Sequence, residues 1–153
     1  MLLELDGLEP EIEEQAMPSV NHSYLTKQLI YELEANKTWE AWPELTLKLN
    51  KNETTPDISV FEPGKIRPNF QSDTIKCEEM PKLVIEIISP TQGIQRLVDK
   101  AKELLEAGVP TVWLLEPFTN NLLAYNPQGM KRYKDGKVSV DGITIDLEKL
   151  FKE

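Results

Sequence analysis

The chain contains one cysteine, Cys77, and one histidine, His22. A lone cysteine forms no internal disulfide and brings no second thiolate to a zinc site, so Cys77 reads as structurally neutral. A lone histidine excludes a His-rich metal centre and weakens any histidine-based general-base scheme. His22 therefore reads as a surface or helix-capping residue. Basic residues are also scarce: 17 Lys and Arg stand against 26 Asp and Glu, for a net charge of -9. That is the wrong sign for a protein that grips nucleic acid through its overall field. No apolar run approaches the ~20 residues of a membrane span. The N-terminus lacks a basic stretch followed by a long apolar one, so the sequence predicts no secretory signal and, by default, a cytoplasmic location. Whatever chemistry exists must run on carboxylates and lysines.

What is present is the composition of a globular protein. At 153 residues with 40% hydrophobic and 28% charged side chains, the chain fits one domain with a substantial core. The acidity is uneven. Glu4, Asp6, Glu9, Glu11, Glu13 and Glu14 contribute -6 before Pro18 with no basic residue, which leaves -3 of the -9 for the rest. Residues 1–17 are thus expected to be an acidic arm, and residues 18–153 a single domain.

Asn21 or Ser23 can cap a helix running to about Asn36, in which Tyr24, Leu25, Gln28, Leu29, Tyr31, Glu32 and Leu33 give a one-sided apolar pattern. Trp39, Trp42 and Pro43 read as an aromatic connector. Leu45, Leu47 and Leu49 alternate with polar residues as in a half-buried strand. After a polar turn come Pro56-Asp57 and the strand Ile58-Ser59-Val60-Phe61. Residues 62–81 form a long proline-bearing loop, and residues 83–88 an apolar strand with one acid, Glu86. Ser89-Pro90-Thr91-Gln92 has the form of a capping box with proline at the first helical position, although the following Gly93 could delay the true start. Ile94, Leu97, Val98, Ala101, Leu104 and Leu105 then recur at helical spacing until Gly108. With the buried strand Thr111 to Leu115 they make a strand-helix-strand crossover, hence a parallel pair. Turn signals at Asn126-Pro127-Gln128-Gly129 and Asp135-Gly136 predict an antiparallel meander or hairpin extension, and Asp141-Gly142 is another turn before a short closing segment ending in Leu147, Leu150 and Phe151.

Glu86 is the most informative residue. An acid among aliphatic neighbours, in a strand apolar enough to be buried on both faces, is costly unless a cation, hydrogen bond or metal compensates it. A structural ion pair is the bland alternative. Antiparallel pairing of residues 58–61 with 83–88 would set Asp57 beside Glu86 to Ile88. Two converging carboxylates suit magnesium or manganese, whereas Asp57 by itself reads as a turn residue. Lys100 lies on the edge of the helical stripe, about 10 Å along the helix from Gly93, and Glu86 lies about 10 Å along its strand from Ser89. A helix folding back over the strand brings the two to similar depth. Lys102, on the other edge of the stripe, competes for the role, and a snorkelling lysine is the bland alternative.

At these residues the sequence resembles the Uma-two group of bacterial endonuclease-like proteins in the PD-(D/E)xK superfamily. The resemblance is carried by Pro56-Asp57-Ile58-Ser59-Val60, Leu83-Val84-Ile85-Glu86-Ile87-Ile88-Ser89-Pro90, Asp99-Lys100, Ala107-Gly108-Val109-Pro110 and Val112-Trp113-Leu114-Leu115-Glu116-Pro117, and it spans about residues 20 to 151. It implies an α/β (α+β) restriction endonuclease-like core, a mixed central sheet flanked by helices with a C-terminal β-hairpin extension. Asp57 and Glu86 would hold Mg2+ or Mn2+, with the Ile87 carbonyl as a further ligand. The superfamily's usual lysine, two residues after the glutamate, is replaced by Ile88, and the resemblance places its substitute on the following helix, at Lys100. The implied activity is metal-dependent hydrolysis of phosphodiester bonds in DNA, by a chain with no membrane association that pairs as a homodimer. The alternative is a catalytically inactive nuclease-fold module that binds protein or nucleic acid.

Overall fold

The computed structural model describes residues 19–90 and 92–152. The acidic arm expected over residues 1–17 lies outside the described residues. Helix α1, Val20–Glu34, is capped by Ser19, whose hydroxyl accepts the His22 N–H at 3.1 Å. The cap therefore lies two residues before the first of the two expected.

Six strands form the main sheet: β1 (Glu40–Pro43), β4 (Ile58–Phe61), β5 (Leu83–Ile87), β6 (Thr111–Glu116), β7 (Asn121–Asn126) and β8 (Gly129–Tyr133), side by side in that order. Two short strands, β2 (Leu47–Lys48) and β3 (Glu53–Thr54), make a separate ribbon. The expected strand over residues 45–49 thus shrinks to two paired residues, although Leu47 and Leu49 are both buried. The aromatic connector is also corrected: residues 40–43 are a strand, antiparallel to β4. Pro43 hides this in the sequence. A proline is tolerated there because β1 is an edge strand, whose outer N–H groups need no partner.

The predicted crossover is present. β5 and β6 are parallel, and α2, Ile94–Glu106, joins them. Gly93 rather than Ser89 caps α2. Half of the expected box forms one turn early, because the Gln92 side chain accepts the Ser89 N–H at 3.1 Å. The C-terminal prediction holds in two parts. β7 and β8 extend the main sheet, while β9 (Lys137–Val140) and β10 (Ile143–Asp146) form their own antiparallel hairpin. Its turn, Asp141-Gly142, has φ of 52° and 82°, the paired positive values that favour Asp-Gly at a two-residue hairpin turn. A short helix α3, Leu147–Leu150, closes the fold.

Alternation along β5 and β6 supplies two cores. Ile85, Ile87, Trp113 and Leu115 pack with Leu25 and Leu29 of α1 on one face of the sheet. Val84, Val112 and Leu114 pack with Leu97, Ala101 and Leu104 of α2 on the other. Burial on both faces explains why these strands read as continuous apolar runs. It also leaves Glu86 as the one charged residue inside β5, only 4% exposed.

Candidate functional site

The site begins where the β4–β5 ladder stops. Ile58 pairs with Ile85, so the same register sets Asp57 opposite Glu86 and Pro56 opposite Ile87. Proline has no N–H to give, and the ladder cannot continue. Ile87 instead donates its N–H to Asp57 Oδ2 at 2.7 Å, and Asp57 donates its own N–H to Glu86 Oε1 at 2.7 Å. The two carboxylates are thus tied across the strands through backbone donors. In this register the Ile87 carbonyl belongs to the residue opposite Pro56, which has no N–H to donate to it.

The remaining two carboxylate oxygens meet side chains from the two helices. Lys100 Nζ of α2 lies 2.7 Å from Glu86 Oε2, with the lysine side chain 27% exposed and the glutamate 5%. Lys102 is exposed and is not the lysine that reaches Glu86. On the opposite helix, His22 Nε2 of α1 lies 3.1 Å from Asp57 Oδ1. The structure therefore brings together Asp57, Glu86, Ile87 and Lys100 as expected from sequence. It adds His22, which the sequence had marked as a surface or capping residue. No signal of spacing could have found it, since His22 and Asp57 belong to elements that meet only in three dimensions.

The electrostatics follow from these contacts. Burial raises the Glu86 carboxyl above its ordinary range; the Lys100 ammonium opposes this and the Asp57 charge adds to it. The His22 imidazole is also raised, first by its hydrogen bond to Asp57, against the opposing effect of burial, with the charges of Asp57, Glu86 and Glu44 adding to the rise. A cleft of about 290 Å³ opens beside Asp57, walled by His22, Thr26, Lys27 and Glu44 among others. A larger cavity of about 570 Å³ lies between Tyr24, Phe118 and Phe151. No acid lines it, so the smaller cleft is the one that reaches the site, through Asp57, with Glu86 buried behind it.

Two carboxylates and a main-chain carbonyl are hard oxygen donors, the set that suits a magnesium-like cation. Such an ion takes one or two protein carboxylates and completes its shell with water and phosphate. Among the described residues no three His, Cys, Asp or Glu side chains form a ready-made metal cluster. The donor set fits the open kind of site rather than a closed protein cage.

Comparison with known proteins agrees with the fold. The sequence matches the Uma2 family, described as "Putative restriction endonuclease", over residues 3–153. A crystal structure of a putative nuclease belonging to DUF820 from Anabaena variabilis superposes with a TM-score of 0.76 at 24% identity, covering 89% of this chain and 83% of that one. At that identity the likeness speaks for the fold alone. No curated protein matches the chain. The family match extends over nearly all of the sequence, including Pro56-Asp57, Glu86 and Lys100, and the chain belongs to the Uma2 family of putative restriction endonucleases.

Proposed function

We propose that this protein is a divalent-metal-dependent endonuclease that hydrolyses phosphodiester bonds in DNA. The observation that carries this reading is the buried Glu86 carboxylate, tied to the Asp57 amide on one oxygen and to Lys100 on the other. A structural ion pair needs only Glu86 and Lys100. The adjoining Asp57, cross-tied and open to a cleft, makes a two-carboxylate site of it.

Asp57 and Glu86, with the Ile87 carbonyl, would hold Mg2+ or Mn2+. The cation, when bound, supplies Lewis-acid polarisation of the phosphate and a more acidic water. Ile87 N–H fixes the angle of the Asp57 carboxylate and Asp57 N–H that of Glu86. Lys100, on a flexible stem, orients the attacking water or neutralises charge growing on the phosphate. Lys27, exposed in the cleft wall, offers a second cation to the DNA backbone. A homodimer with one copy per strand, working in the cytoplasm, completes the reading. No helix among the described residues is long and apolar enough to cross a membrane.

A second reading draws on the closed Glu86–Lys100 pair and the net charge of -9: a nuclease-fold module that binds a partner without cutting. Incubation of supercoiled plasmid with the protein and Mg2+ or Mn2+ separates the two. Nicking or linearisation that disappears in Asp57→Ala supports the endonuclease. Cleavage undiminished in Asp57→Ala would sink the assignment, and no cleavage by the parent under either ion favours the binding module.

A further inference from the structure

We infer that His22 Nε2 is a direct ligand of the divalent cation, which makes the centre a mixed nitrogen and oxygen site that favours Mn2+ over Mg2+. The inference rests on the metal reading above and extends it to a residue and to a choice of ion.

The geometry is that of two neighbouring ligands. His22 Nε2 and Asp57 Oδ1 are 3.1 Å apart. Two donors at right angles around a cation, each at about 2.1 Å, stand about 3 Å from one another. A cation can therefore take both atoms once Nε2 has released its proton to solvent and the ring has turned from Oδ1 toward the ion. The orientation of Asp57 agrees: its Oδ2 is occupied by the Ile87 N–H, so Oδ1 is the oxygen turned to the histidine. Both residues wall the same cleft.

His22 is also held in place. Its side chain is only 14% exposed. Its N–H is tied to the Ser19 hydroxyl at 3.1 Å, and its carbonyl accepts the Thr26 hydroxyl at 2.8 Å. Leu25, Leu29 and Leu33 seat the rest of α1 in the core. A surface histidine on a fraying turn would lose rotamer freedom on binding a metal. This one lies on a capped turn and its side chain is largely buried before any ion arrives, and prepaid ordering strengthens binding.

The chemical consequence follows from the donor type. Carboxylates and carbonyls suit magnesium and calcium, whereas an imidazole nitrogen shifts preference toward transition ions. The rival role for His22 is positioning alone, in which its ring donates a hydrogen bond to Asp57 and never touches the ion. That role orients the carboxylate but puts no nitrogen on the cation.

The scarcity of histidine makes the two roles separable without a mutation. His22 is the only histidine in the sequence, so growth of untagged protein on 15N-histidine labels this ring alone. The Mn2+-loaded protein should show nitrogen modulation in pulsed electron paramagnetic resonance, and the 14N pattern should change to 15N on labelling. Calorimetric titration should show that His22→Gln weakens Mn2+ about tenfold or more and Mg2+ much less. Mn2+ bound in the parent, lost in Asp57→Asn, yet without histidine coupling would overturn the ligand role and leave the metal reading standing. A parent that binds no Mn2+ overturns both. If His22→Gln proves unfolded by circular dichroism, the labelling comparison still decides.

Discussion

Lys100 and Glu86 form a 2.7 Å ion pair between α2 and β5, with the carboxylate almost wholly removed from water. Removing one partner of a buried pair leaves the other charge uncompensated, at a cost of about 3–5 kcal/mol. Lys100→Met should accordingly lower stability in urea denaturation by an amount near the lower end of that range, since the lysine keeps some solvent contact. Lys102→Met, at an exposed position, should stay within about 0.5 kcal/mol of the parent. Equal effects of the two changes would show that the pair does not carry the burial of Glu86.

The carboxylates themselves should separate folding from activity. Glu86→Gln keeps the shape of the side chain and its acceptor for the Asp57 N–H, so the far-ultraviolet spectrum should match the parent. Manganese binding in calorimetric titration and plasmid cleavage should both be lost. Retention of full cleavage by Glu86→Gln would remove this residue from the proposed centre.

Stability should depend on pH through His22. Its folded pKa lies above the unfolded 6.5 because the protonated ring gains the Asp57 hydrogen bond. The folded state then binds the proton more tightly. The stabilisation is fully present below the unfolded value and is lost as pH rises through the folded one. Urea titrations of metal-free protein from about pH 5.5 to 8.5 should show stability falling across the window above 6.5, and His22→Gln should flatten that part of the curve. An unchanged slope in the variant would assign the pH effect to another group.

Pro56 offers a test of the main-chain ligand. Pro56→Ala gives back an N–H at the position opposite Ile87, where the β4–β5 register would let it bond to the Ile87 carbonyl. The extended ladder should compete with a cation for that oxygen and weaken Mn2+ binding by about tenfold in calorimetric titration. Tighter Mn2+ binding in Pro56→Ala would exclude the carbonyl as a ligand.

Much of the fold could be read directly because burial leaves a local imprint. The apolar runs at 83–88 and 111–115 announce strands covered on both faces, and the spacing of Leu97, Ala101 and Leu104 announces the helix that covers one of them. Glu86 stands out against that background without any coordinates. β1 was less legible: Trp42 and Pro43 resemble a connector, and only pairing with β4 turns residues 40–43 into a strand. The β2–β3 ribbon is too short for alternation to define its ends.

By itself, then, the sequence determined the buried acid, the proline-aspartate step before β4 and the crossover that brings a helix over Glu86. These depend on composition and period along a single element. The choice between Lys100 and Lys102 was left to the tertiary structure, because both flank the same apolar stripe and only the seating of Leu97, Ala101 and Leu104 sets the roll of α2. The place of His22 was decided there as well. Its meeting with Asp57 depends on the way α1 packs across the sheet, a relation between distant elements that leaves no period in either of them.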